Sequence, residues 1–390
     1  MIRYLLIFTV FIGAQHSVSS LTTSDKAKTY GYPIKTYHYK TEDNALVGME
    51  RIPYGKRSNG TIGKPVILLP GVLASSITFV YKNTSLAFFL ADAGYDVWLP
   101  NYRANGLSLK VKDPQTGKIL KLSKMNWNYS FHELGIYDFP AAIDLVLKET
   151  GRDKVDVVGI SLGTTISLIG LSEKPEYNNK IRNLVMMGPA AKMKNSLKIR
   201  PLQYVLAKLY APMVITALSK FRYINVFQNP DKQLLGYLCR TILFRYQCVH
   251  AMTLLQGVFT PFKYDVVADL ATTYPQPSST KAMIHYIQLM MSGRFCNFDY
   301  GPDENVKHYK SQVVPEYNVS KITAPTILIY SKTDLVTPPS DVKWLFDKMP
   351  NIKDSYYIHK IPFSHQAFIL GNNAHTVVYP YIARKLSEND

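Results

Sequence analysis

Three cysteines in 390 residues are too few for a disulfide-built scaffold, so the fold must rest on an apolar core. Long apolar runs are missing as well. The run from Tyr4 to Ile12 is far short of the roughly 20 residues that a membrane-spanning helix needs, and no later stretch reaches that length without a charge. The chain carries no glycine-rich phosphate loop, no dinucleotide fingerprint and no zinc-finger or other nucleic-acid motif. His132 and Glu133 are adjacent and cannot share a helix face, and His285, His308 and His359 lack metal-ligand spacing. These absences exclude the common nucleotide, metal and nucleic-acid chemistries, and no cofactor is expected. Acidic residues are scarce relative to basic ones, 28 against 45, a formal net charge of +17. Such a balance favours acidic surfaces, and an anionic lipid surface is a better match than nucleic acid.

Arg3, the short apolar run and the small residues Val18-Ser19-Ser20 together form a signal-peptide pattern over residues 1–20. The expected location is therefore extracellular, with the lysosomal lumen as the alternative. Asn59, Asn83, Asn128 and Asn318 each open an Asn-x-Ser/Thr sequon, as glycan acceptors of the secretory pathway do. One bridge and one free thiol is the simplest use of three cysteines in that compartment. A hydrophobic content of 47% is ample for a full core.

Short β-branched, apolar runs at residues 66–69, 95–99, 155–160 and 184–187 predict buried strands. Helical spacing at 85–93 and 138–148 lies between them, and this alternation predicts a mostly parallel sheet with helices on both faces. Runs at 326–330 and 356–361 close the series, while 34–39 and 46–52 read as an antiparallel edge. Between about 191 and 310 the strands lapse and helical stretches such as 202–218 and 283–291 replace them. The expected division is a signal peptide over 1–20, a first part of the core over 21–190, an inserted helical cap over 191–310 and a second part of the core over 311–390.

The strand at 155–160 runs directly into Gly159-Ile160-Ser161-Leu162-Gly163, and residues 164–171 then read as a helix. Strand, tight turn and helix around a serine make a nucleophile elbow, in which the glycines permit a strained serine and a close helix approach. Serine needs an imidazole to take its proton and a carboxylate to orient that imidazole, in the chain order serine, acid, histidine. Asp334, on the loop after 326–330, and His365, after the final strand, satisfy that order. Asp341 is the rival acid, but in Ser340-Asp341-Val342 it reads as a helix cap. The oxyanion donors expected are the backbone N–H of Leu162 and that of Val72 in Pro70-Gly71-Val72-Leu73.

With these motifs in view the chain resembles the acid lipase family of gastric, lysosomal and insect lipases, within the α/β-hydrolase superfamily. The likeness is plainest in residues 85–99, and it continues in Gly31-Tyr32-Pro33, Arg51-Ile52-Pro53-Tyr54-Gly55, Tyr137-Asp138-Phe139-Pro140-Ala141 and Gly163-Thr164-Thr165. It implies an α/β-hydrolase fold with a cap, hydrolysis of triacylglycerols and sterol esters, and a triad of Ser161, Asp334 and His365, while the apolar helical insertion and its basic residues separately point to work at a lipid–water interface. It also implies a Cys239–Cys248 disulfide with Cys296 free. The chain departs from the family pattern at Ile160 and Leu162 beside the nucleophile, at Pro70 in the oxyanion loop, in Pro100-Asn101-Tyr102-Arg103-Ala104-Asn105, and at Ala367. A lipid carrier with a vestigial site and an acyltransferase are the competing function classes.

Overall fold

The computed structural model describes residues 21–388 apart from 59, 113–116, 120, 197–200, 226–228 and 257–261. The expected signal peptide and the sequon residue Asn59 lie outside the described residues. An eight-stranded sheet runs in the order β1-β2-β4-β3-β5-β6-β9-β10. Its members are β1 (Lys35–Lys40), β2 (Leu46–Ile52), β3 (Pro65–Leu69), β4 (Asp96–Pro100), β5 (Val155–Ile160), β6 (Ile181–Met187), β9 (Thr326–Ser331) and β10 (Ile352–Ile358). The β1–β2 and β2–β4 pairs are antiparallel and all later pairs are parallel, which is the expected mixed sheet with an antiparallel edge. A separate two-residue ladder joins β7 (Tyr223–Ile224) to β8 (Ser278–Ser279) within the stretch that the sequence presents as helical.

Strand periodicity explains why the central strands β3, β5 and β6 read as mostly apolar runs, interrupted only by Asp156 in β5 and by Arg182 and Asn183 in β6. Successive side chains point to opposite faces, and both faces are covered. Ile67 and Leu69 of β3, Val155 and Val157 of β5, and Leu184 and Met186 of β6 enter one core cluster. Val66, Leu68, Val158, Ile160, Val185 and Met187 enter the other. The helix Leu162–Glu173 follows β5, and all its residues from Leu162 to Ser172 are buried. The last strand starts and ends earlier than expected, at Ile352–Ile358 instead of 356–361. As an edge strand it is only half covered, so Lys353, Asp354 and Ser355 are tolerated and the apolar pattern is diluted.

Between β6 and β9 the chain leaves the sheet and forms the helices Pro201–Ser219, Asn229–Arg240, Arg245–Gln256, Tyr264–Thr273, Thr280–Ser292 and Pro302–Tyr309. Cys239 and Cys248 are bonded here, with a Cα–Cα distance of 5.8 Å, and Cys296 is a buried free thiol. The helix Thr280–Ser292 sends Tyr286 and Leu289 into the same core cluster as Leu162 and Ile166. Among the described residues no helix is long and apolar enough to cross a membrane, and no group of side chains could hold a metal ion.

Candidate active site

Ser161 joins β5 to the helix Leu162–Glu173 with φ 54° and ψ −114°, a conformation that L-residues avoid unless their surroundings enforce it. The enforcement is visible. A Cβ on Gly163 would lie 2.4 Å from the carbonyl oxygen of Leu69, and one on Gly159 would lie 2.8 Å from the carbonyl carbon of Gly163, so only glycines let helix and strands approach this closely. The Ser161 N–H donates to Met187 O at 3.2 Å, while Thr164 N–H and Thr165 N–H both donate to Ser161 O. Leu162 opens the helix, and its N–H belongs to the first turn, which has no intrahelical acceptor.

Asp334 is fully buried on the loop after β9. Its Oδ1 accepts the N–H groups of Val336 (2.8 Å) and Thr337 (2.9 Å), and its Oδ2 accepts the Thr337 hydroxyl (2.7 Å) and His365 Nδ1–H (2.7 Å). A carboxylate can only accept, so Nδ1 is the donor in that last bond and Nε2 is turned away from the acid. Nε2 is buried and has no hydrogen-bond partner among the described residues. The loops that carry acid and histidine are tied together, because the Ser331 hydroxyl donates to Phe363 O at 2.6 Å and Phe363 N–H donates to Thr333 Oγ1 at 2.7 Å. Further along the chain from the histidine, Gly371 O, just past the short helix Ala367–Leu370, accepts from buried Lys82 Nζ at 2.8 Å. Burial, helped by the charge of Lys263, pushes its ammonium down to about 8.

Met187 and Gly188 bring the two halves together. Met187 O accepts the Ser161 N–H, and Gly188, at φ 54°, lies against both His365 and Asp334. Sequence reasoning missed Gly188; its signal was a glycine placed directly after a buried strand. Asp341 is engaged elsewhere. Its carboxylate accepts the backbone and side-chain N–H groups of Asn195, and it sits inside the first turn of the helix Pro339–Lys348 without capping it.

Loop 70–76, which contains Val72, also abuts the serine. A Cβ on Gly71 would lie 3.6 Å from Ser161 Cβ. On its other side this loop borders a cavity of about 710 Å³ whose lining includes Glu50, Ser75, Ser76, Gly106, Lys110 and Gln276, but none of Ser161, Asp334 and His365. Asn83, Asn128 and Asn318 are all exposed.

Residues 64–372 match the family model described as the alpha/beta hydrolase fold, and residues 23–83 match the partial alpha/beta-hydrolase lipase region. Lipase 3 of Drosophila melanogaster is 35% identical, covering 91% of this chain and 90% of its own. The gastric triacylglycerol lipase of Homo sapiens is 33% identical, covering 95% and 92%. Among solved structures, a putative lipase from Sulfolobus solfataricus superposes with a TM-score of 0.56 at 16% identity, covering 92% of this chain and 94% of that one, which shows the shared fold. The chain therefore belongs to the acid lipase family of the α/β-hydrolase fold, and it is a serine-dependent carboxylic-ester hydrolase.

Proposed function

We propose that the protein is a lipase that cleaves esters of neutral lipids, triacylglycerols or sterol esters, through an acyl-enzyme on Ser161. The observation that carries this reading is the 2.7 Å bond from His365 Nδ1 to Asp334 Oδ2, which points the basic Nε2 away from the acid while Ser161 sits strained one residue from β5. Ser161 Oγ attacks the ester carbonyl as His365 Nε2 takes the hydroxyl proton. The oxyanion accepts the N–H groups of Leu162 and Val72, and Asp334 steadies the imidazolium. Collapse expels the alcohol, which receives the proton from His365. Water then repeats the sequence on the acyl-enzyme and releases the fatty acid. Only backbone donors are needed for the oxyanion, so Pro70 and Leu162 are compatible with it.

The stretch 191–310 acts as a cap over this site and meets a lipid surface. Val205, Leu209, Met213, Phe221, Ile242 and Leu243 expose between 58% and 76% of their surface there, and the excess of basic residues favours an anionic interface. Secretion and glycosylation at Asn59, Asn83, Asn128 and Asn318 complete the reading. The test is Ser161→Ala with an emulsified triacylglycerol and a fluorophosphonate probe. Turnover and labelling should vanish while the fold persists. A wild-type protein that binds lipid esters but resists the probe would be a carrier, and acyl transfer to added glycerol or sterol in preference to water would make it an acyltransferase.

A further inference from the structure

Segment 101–105, directly after β4, holds loop 70–76 with three side chains. The Tyr102 hydroxyl donates to Pro70 O at 2.7 Å, Asn105 Nδ2 donates to Ala74 O, and Asn101 Oδ1 accepts Ser76 N–H at 3.1 Å. Within the loop, Ala74 N–H donates to Gly71 O at 3.3 Å and Leu73 takes φ 57°. The segment is itself fixed, because Arg103 Nε donates to Asp138 at 2.7 Å and its two terminal nitrogens donate to Asp43 at 2.6 and 2.8 Å.

Peptide planarity makes one of these bonds matter most. Gly71 O and Val72 N–H belong to a single rigid peptide unit, so the bond from Ala74 to Gly71 O helps to set where Val72 N–H points. Pro70 O belongs to the preceding unit. The two units meet at the α-carbon of Gly71, which has no Cβ to restrict rotation, so each plane needs its own anchor. Tyr102 supplies the anchor on the Pro70 side. Its ring is buried, and burial pushes the phenol far above its ordinary value, so it remains a donor throughout the working range.

We propose that Tyr102 is a positioning residue for the oxyanion loop, acting through Pro70 O on the direction of Val72 N–H, with Asn105 holding the far end of the same loop. This rests on the reading of Val72 as an oxyanion donor. Because removal of a whole oxyanion donor costs about 10²–10³ in kcat, misaiming one through Tyr102→Phe should lower kcat about tenfold. KM should stay within about twofold, since the ground-state ester makes little use of that donor.

A trifluoromethyl ketone with a fatty acyl tail, whose hemiketal with Ser161 carries an oxyanion, provides the readout that a merely structural role would not move. Its affinity should fall in Tyr102→Phe by the same factor as kcat/KM, while that of an ether analogue of the substrate should not change. Equal ketone affinity in wild type and Tyr102→Phe, with kcat unaltered, would overturn the inference. A wild-type protein that the ketone does not inhibit would overturn the Ser161 and oxyanion reading beneath it. Should Tyr102→Phe fail to fold, Asn105→Ala carries the same test, with a smaller loss of the same pattern expected and none overturning the proposal.

Discussion

Gly188 is the residue against which His365 closes: a Cβ placed on it would lie 3.0 Å from His365 Cε1, 3.1 Å from Nδ1 and 3.2 Å from Asp334 Oδ2. A methyl group there must displace either the imidazole or the acid. With φ at 54°, it would also cost about 1–2 kcal/mol of backbone strain. Gly188→Ala is therefore expected to lose at least tenfold in kcat, in line with the cost of a small misplacement of a catalytic group, which reaches about a hundredfold per ångström. Steady-state kinetics alongside urea denaturation check this. Full activity with reduced stability would show that the ring tolerates the displacement.

The two aspartates after β9 should separate cleanly. Asp334→Asn keeps the shape but offers Nδ1 the wrong partner, and a loss of kcat of about 10³–10⁴ is expected. Asp341→Asn should leave kcat within about twofold, since its carboxylate holds Asn195 rather than the histidine. Inactivity of the second variant with survival of the first would reassign the acid.

Asp156, fully buried on β5, accepts a hydrogen bond from Asn183 Nδ2 at 2.9 Å. Burial raises its carboxyl from 3.8 to about 6, against the opposing pull of Arg182. The folded state then holds the proton more tightly than the unfolded state, so the Asp156 contribution to stability falls as pH rises from about 4 through 6. Asp156→Asn should remove that slope and stabilise the protein at pH 7 by on the order of 2 kcal/mol. Denaturation midpoints of both proteins between pH 4 and 7.5 would reveal it. Parallel curves would contradict it.

Arg103 is the only cation that contacts Asp138 and Asp43 in the ion pairs of the described residues. Burial raises the Asp138 carboxyl and Arg103 pulls it back. Arg103→Met should cost about 3–5 kcal/mol at pH 7, because an uncompensated charge stays buried. Part of the loss should return as pH falls and Asp138 takes up a proton. A loss that is the same at pH 5 and pH 7 would mean that packing, and not charge, is what Arg103 supplies.

The positions of the central strands and the elbow were legible because both leave dense local signals, whereas the order of the strands in the sheet was not read from the sequence. Two-faced burial makes β3 a continuous apolar run and β5 and β6 largely apolar ones, and Gly159, Ser161 and Gly163 sit within five positions. Asp334 and His365 were legible only through chain order and loop position, yet the structure brings them to 2.7 Å. The edge strand β10 was misplaced because half-exposed strands carry polar residues on the open face. Gly188 and Tyr102 were illegible as site residues for another reason. Their importance comes from contacts with His365 and Pro70, distant in sequence, and no local pattern encodes such a contact.

In the sheet, β6 and β9 are neighbours, although among the described residues the chain runs through six α-helices between them. That long excursion places the serine and the acid–histidine pair on opposite sides of a large loop, whose closure entropy must be met before β9 can dock. Neither half of the site has a local precursor that could act alone. Ester turnover therefore requires β9 to be docked beside β6, and its recovery on refolding reports that long-range contact rather than the formation of any single helix.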